Sequence, residues 1–214
     1  MKTLLRISFI SLICFLTANG IMAQLSYGVR GAVDMFNMSV KDNNDDKVST
    51  SMIPTWNIGV FAEYPLGPEF AIRPELSFAQ KGFKNKDLDD VKTRLSYIEL
   101  PIAFLYKGAL SGGNVLVGFG PYIAMGIGGK VKNGSTHDVK FKSDISLTEA
   151  MQDPYFKRFD AGAKIYAGYE FANGLSFTIE TSLGLVNVMP KLAGNDNGDA
   201  KNVGFGIGVG YKFH

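Results

Sequence analysis

Eight stretches of the chain alternate apolar and polar residues with a period of two, the repeat of a strand whose faces meet different surroundings. Residues 25–35 set Leu25, Tyr27, Val29, Val33 and Met35 against Ser26, Gly28, Arg30 and Asp34. Residues 56–64 set Trp56, Ile58, Val60 and Tyr64 against Asn57, Gly59 and Glu63. In 70–81, Phe70, Ile72, Leu76 and Phe78 oppose Arg73, Glu75, Ser77 and Lys81, and in 97–107, Ile98, Leu100, Ile102, Phe104 and Tyr106 oppose Tyr97, Glu99, Ala103 and Lys107. Residues 115–127 place Val115, Val117, Phe119, Ile123, Met125 and Ile127 against glycines and Tyr122. The last three runs are 158–171, 175–185 and 203–213, whose polar sides carry Arg158, Asp160, Lys164 and Glu170, then Ser176, Thr178, Glu180 and Ser182, then four glycines and Lys212.

The connections alternate in length. Residues 65–69, 108–114 and 172–174 are short and rich in Gly, Pro and Asn, whereas 39–53, 82–94, 129–155 and 190–201 are long and polar. Short turns at one rim and long loops at the other describe an eight-stranded, antiparallel, up-and-down transmembrane β-barrel, an all-β fold. Pro74, Pro101 and Pro121 fall inside proposed strands, and a bulge is expected at each because proline cannot donate to a ladder. Within the longest loop, Ser146 and Glu149 are spaced as a capping box and predict a helical turn or two ending before Pro154.

A soluble barrel would show the same period with its apolar face inside, so the polar face decides. By parity it carries Arg30, Arg73, Lys81, Lys107, Arg158, Lys164 and Lys212, together with Asp34, Glu63, Glu75, Glu99, Asp160, Glu170 and Glu180. Balanced charges interleaved with glycine suit the narrow interior of eight strands, which side chains alone can fill. The opposite face, crowded with Phe, Tyr and Trp56, is too bulky for that bore. It therefore faces lipid. Its aromatics gather toward the short turns (Tyr27, Tyr64, Phe70, Tyr106, Tyr169, Phe171, Phe177, Tyr211 and Phe213), as a membrane-interface belt requires.

Composition narrows the function classes. Hydrophobic residues make up 46% and charged residues 20% of the 214, which excludes a disordered chain, and 25 Gly with 16 Phe favour strands and turns. Residues 1–23 read as a cleaved signal peptide: Lys2 and Arg6 precede an apolar core, and small Ala23 stands before Gln24. That core is too short to span a bilayer. Residues 24–214 then form the barrel domain, with 20 basic and 20 acidic residues, a balance that argues against a nucleic-acid partner. The one cysteine, Cys14, lies in the leader behind bulky Ile13, which disfavours a lipoprotein and leaves the mature chain without disulfide or thiol chemistry.

Four strings resemble the PorT-like outer-membrane β-barrel family: Phe78-Ala-Gln80-Lys81-Gly82, Tyr97-Ile-Glu99-Leu-Pro101, Gly120-Pro121-Tyr122 and Gly168-Tyr169-Glu170. The resemblance covers nearly the whole mature chain, implies an outer-membrane barrel and makes Pro101 and Pro121 family features. It implies no settled activity, although the family's namesake is associated with protein export. The ending, Gly208, Tyr211 and Phe213, looks like the signal read by the barrel assembly machinery, except that His214 follows the aromatic.

Candidate chemistry is sparse. The histidines are His137 in the longest loop and His214 at the terminus, so a nucleophilic triad would need a loop or chain end, and the chain is read as not an enzyme. Asp42, Asn44 and Asp46 begin like a calcium loop, but Lys47 replaces the required Gly and Ile53 the Glu, so this is read as a solvated polar loop. Gly204 to Gly210 repeats every two residues with no helix after it and is not a dinucleotide fingerprint. No cofactor, metal or catalytic residue is expected. The expected protein is an integral outer-membrane barrel with both termini in the periplasm and a bore plugged by its own charges. Its partners are outer-membrane lipid, the assembly machinery and a protein bound at the loops, in adhesion, partner binding or support of export. A small-solute pore, and behind it a lipid-modifying enzyme, are the alternatives. N-terminal sequencing of the protein recovered from outer membranes should read from Gln24; a blocked or lipidated Cys14 would contradict the leader assignment.

Overall fold

The structure, a computed structural model, describes residues 25–42, 46–86, 91–196 and 198–213. The expected leader, Asn44 and His214 lie outside these residues. Eight long strands carry the fold: β1 (Ser26–Lys41), β2 (Ile53–Pro65), β3 (Phe70–Asn85), β4 (Lys92–Leu110), β5 (Gly113–Asn133), β6 (Phe159–Phe171), β7 (Leu175–Gly184) and β8 (Asp199–Phe213). Each pairs antiparallel with its neighbours in sequence. β8 returns to β1, from Tyr27 opposite Phe213 to Lys41 opposite Asp199, and the sheet closes on itself. Closure leaves no unpaired sheet edge, which is the condition for strands to stand in hydrocarbon.

Alternation sorts the side chains as parity requires. Val60 is 56% exposed and Ile179 62% exposed on the outer surface, while Glu99 and Asp160 are wholly buried within. Aromatic rings meet one another around the short-turn rim, with Phe70 against Tyr106 at 5.5 Å, Tyr169 against Phe171 at 4.9 Å and Tyr211 against Phe213 at 5.4 Å. Toward the other rim Trp56 stacks on Phe78 at 5.1 Å. Gly112 and Gly174, at φ 80° and 86°, make the left-handed steps of two short turns.

The strands run further than alternation alone marked them, and the excess lies mostly on the long-connection side. β5 reaches 21 residues and β4 19, about twice what a membrane crossing needs. Above the membrane both faces of a strand can be polar, so the period fades while the ladder continues.

The expected bulges at the three prolines are absent. The register is unchanged from Phe61↔Glu75 to Tyr64↔Ile72 around Pro74, and from Pro101↔Tyr122 to Phe104↔Phe119 across Pro101 and Pro121. The ladder simply skips the rungs that face the missing N–H groups, because losing a donor calls for no extra residue. Beside that gap Gly120 lets the strands close together, since a Cβ there would sit 1.9 Å from the Ile102 carbonyl oxygen. The bulge lies elsewhere: Tyr97 pairs with Gly126 but Ser96 with Gly128, leaving Ile127 as the extra residue.

An arginine at the centre of an outward stripe should cost about 2–4 kcal/mol, falling to about 0–1 near the interface. Ile102→Arg, mid-stripe on β4, should therefore shift the urea midpoint for folding into vesicles far more than Ser96→Arg on the same face.

Candidate functional site

The inner face is a stack of charge clusters, each assembled from side chains of several strands around the wall. Near the short turns, Glu63 on β2 and Glu170 on β6 gather Arg73, Lys107 and Lys212. Arg73 Nε donates to Glu63 at 3.0 Å, and Lys107 Nζ lies 2.6 Å from Glu63 and 2.8 Å from Glu170. Lys212 also pairs with Glu170, joining the last strand to this cluster. The Arg73 guanidinium lies over the Phe61 ring at 4.4 Å, so its apolar plane is covered too.

One level up, Arg30 on β1 reaches across to Glu75 on β3, at 3.4 Å, and pairs with Glu180 on β7. Asn57 bridges two carboxylates, donating to Asp34 at 2.7 Å and to Glu180 at 3.0 Å. Glycines on β8 make the room. A Cβ on Gly206 would lie 2.0 Å from Asp34 Oδ1, and one on Gly204 would strike the Phe36 ring. This is why the last strand carries glycine at alternate positions.

Above that, Glu99 is held between Lys81 Nζ at 2.6 Å and Lys164 Nζ at 2.5 Å, and Lys81 also reaches Asp160 at 3.0 Å. Asp160 accepts from Tyr122 at 3.3 Å and from Asn202 at 3.0 Å. Lys81 sits 4.0 Å from the centre of the Tyr122 ring, and Tyr97 packs close by. A cavity within the charged stack, beside Arg30, Arg73 and Glu75, holds about 20 Å³, the room of roughly one water molecule.

An apolar roof covers the stack. Met38, Leu95, Tyr97, Tyr122, Val139, Phe156 and Val188 form one buried cluster, the last three coming from the long connections. Backbone bonds pin these segments down: Lys157 N to Val188 O at 2.8 Å and Val188 N to Ala200 O at 2.9 Å. Asn187 Oδ1 adds a staple, accepting from Met189 N at 2.8 Å and Ala200 N at 3.0 Å. Over the roof, Lys140–Phe141 pairs with Tyr155–Phe156 and Asp144–Ile145 with Lys191–Leu192. Between them stands a helix, α1 (Leu147–Gln152), capped by the Ser146–Glu149 box expected from sequence. The Lys142 ammonium, 2.7 Å away, and then the Ser146 backbone N–H hold the Glu149 carboxyl down to about 2.

Thirteen of the fourteen residues expected inside stand in the bore, Lys107 and Lys212 half-buried at its short-turn end. Arg158 does not. It precedes the first paired residue of β6, is exposed at the rim, and faces the Phe141 ring at 5.6 Å. Parity carried one step past the end of a strand has no pleat to enforce it. Without Arg158 the described interior holds six cations against seven carboxylates, and Asp34 is the carboxylate met by an amide in place of a cation. Asn57, Tyr97, Tyr122 and Asn202 were on the inward parity but carried no charge to mark them. Of the roof residues, Val139, Phe156 and Val188 lie in polar loops whose few apolar positions show no period. Of the terminal signal, Tyr211 and Phe213 point outward and Gly208 lies in the closing seam. His137 Nε2 lies 2.8 Å from Ser135 Oγ on an exposed hairpin, and Asp46 N donates to Asp42 Oδ1 at 2.9 Å in the loop after β1.

The sequence profile described as an outer membrane protein beta-barrel domain matches residues 18–189. No curated protein sequence matches the chain. Among solved structures, the outer membrane protein OprG from Pseudomonas aeruginosa is similar over 88% of this chain and 96% of its own, with 13% identity and a TM-score of 0.51. Neisserial surface protein A covers 87% and 97%, with 11% identity and a TM-score of 0.49. The attachment invasion locus protein of Yersinia pestis covers 88% and 98%, with 11% identity and a TM-score of 0.42.

Removing one member of a buried ion cluster strands the charges it neutralised, at a cost of about 3–5 kcal/mol. Glu99→Gln, which leaves Lys81 and Lys164 facing a neutral amide, should lower the free energy of folding into vesicles, read by urea titration, by that amount, whereas Glu149→Gln in the solvated roof should change it little.

Proposed function

Since the chain belongs to the outer membrane protein beta-barrel domain family, we propose that it serves as a closed scaffold in the outer membrane that presents its long-connection rim to a protein partner. The observation that carries this reading is the filled and roofed bore. Three levels of ion pairs and an apolar layer occupy the path a solute would take. What the molecule offers instead is an ordered outer surface, with short paired segments, a capped helix and two lysine–carboxylate pairs, Lys140 with Asp153 and Lys142 with Glu149. Exposed Leu147 and Met151, one helical turn apart, give that surface an apolar spot of the kind partner contacts use.

In this reading both chain ends lie at the short-turn rim in the periplasm and the roof faces outward, as the even strand number and the leader-like N-terminus suggest. The four strings shared with PorT-like barrels support placement near that branch, and with it a role in adhesion, partner binding or support of export. The protein is read as a binder and not an enzyme, because its charged groups are committed to one another in the bore. Purified protein in planar bilayers should show no steady single-channel conductance, and crosslinking from Met151→Cys in native membranes should capture a discrete protein partner. Sustained conductance would instead favour a pore.

A further inference from the structure

The outward stripes of β3, β4 and β5 change character at one common level. Up to Phe78, Ile98 and Ile127 they are apolar; beyond it come Gln80, Ser96 and Gly128, which the register sets side by side. Past those stand four cations on the same face, with Arg94 opposite Lys130 and Lys92 opposite Lys132. All four are exposed, and none forms an ion pair among the described residues. With Thr136 and Asp138 of the short strand Ser135–Asp138 they line a groove of about 640 Å³, in which Asp138, opposite Lys130, is the one carboxylate among the described residues.

The bulge creates this arrangement. Were the ladder regular, with Ile127 opposite Ser96, Gly129 and Val131 would point outward and Lys130 and Lys132 inward, since a one-residue slip exchanges the faces of a strand. With it, Val131 packs against the buried roof cluster and both lysines join Arg94 and Lys92. Like charges directly opposite one another destabilise a sheet. Two such pairs, held together by a register device and set just above the apolar band, call for an anion at the membrane surface.

We propose that this groove binds the phosphate groups of a glycolipid headgroup in the outer leaflet. The lipid source follows from continuity: the cations stand on the same stripes as the lipid-facing residues, so a headgroup whose acyl chains lie along Ile98, Leu100 and Met125 presents its phosphates to Arg94 and Lys130. The outer-leaflet assignment rests on the orientation proposed above; the groove chemistry does not.

The test uses the full mature protein in detergent, with native mass spectrometry reading retention of diphosphorylated lipid A. Each lysine removed should weaken binding about fivefold, so Lys130→Gln with Lys132→Gln should weaken it about 25-fold. Lys140→Gln with Lys142→Gln, an equal charge change in the roof, should leave it unchanged. Dephosphorylated lipid A should be retained poorly, and added inorganic phosphate should not displace the lipid. Heat-modifiable gel mobility confirms that each variant has folded; if the β5 pair does not fold, Lys92→Gln with Arg94→Gln on β4 carries the same expectation. Equal retention by these variants, or equal retention of the dephosphorylated lipid, would overturn the groove. Displacement by inorganic phosphate would overturn the lipid source. A membrane-impermeant maleimide should label Thr136→Cys on intact cells. Absence of labelling with binding intact would overturn the outer-leaflet assignment and the orientation, whereas labelling without selective binding would overturn the groove alone.

Discussion

A peptide group in hydrocarbon has no water to turn to, so every rung of this ladder has to be answered by another strand. That requirement governs the rest of the molecule. It forces β8 back onto β1, and a ring closed with eight strands has an interior too narrow for solvent and too wide to leave empty. The alternation that puts Val60 and Ile179 into lipid puts the intervening residues into that interior whether or not they are polar. The filling of the bore is thus a consequence of closure.

Charges confined in this way are costly unless each finds a partner, and the stack shows how the cost is met. Glu99 takes two lysines, Glu63 and Glu170 share three cations, and Asn57 joins two carboxylates by donating to both. Many partners come from strands that are not neighbours in the ladder, as with Arg30 on β1 and Glu75 on β3, so the pairs tie together parts of the wall that no backbone hydrogen bond joins. The roof adds the apolar burial that a membrane barrel otherwise lacks, since its outer apolar face gains nothing against lipid by leaving it.

Much of this was legible in the sequence, because a wall between lipid and a polar bore writes its period directly into the residues. The eight strands, the inward charges and the Ser146 cap could all be read locally. Arg158 could not, since parity says nothing about where pairing stops. The prolines misled in a different way: a missing donor suggests a bulge, but neighbouring strands tolerate an unfilled rung without changing register. The real bulge sits in Gly126-Ile127-Gly128-Gly129, where glycines on both sides of the inserted residue give the period nothing to mark. The roof was hidden for a third reason. Val139, Phe156 and Val188 are far apart in the chain, and only the packing of separate connections makes them one surface.

The glycine-lined inner face of β8 has a bearing on how the barrel is made. Between Asn202 and Lys212 this strand has no inward side chain, while the strand it meets carries Arg30, Asp34 and Phe36 in those same layers. A final strand with a smooth inner surface can slide into the seam after the other seven have set their side chains, without any group having to pass another. Lys212 then enters the Glu63–Glu170 cluster only when β8 is in register, so that the last ion pair to form doubles as a latch on the completed ring.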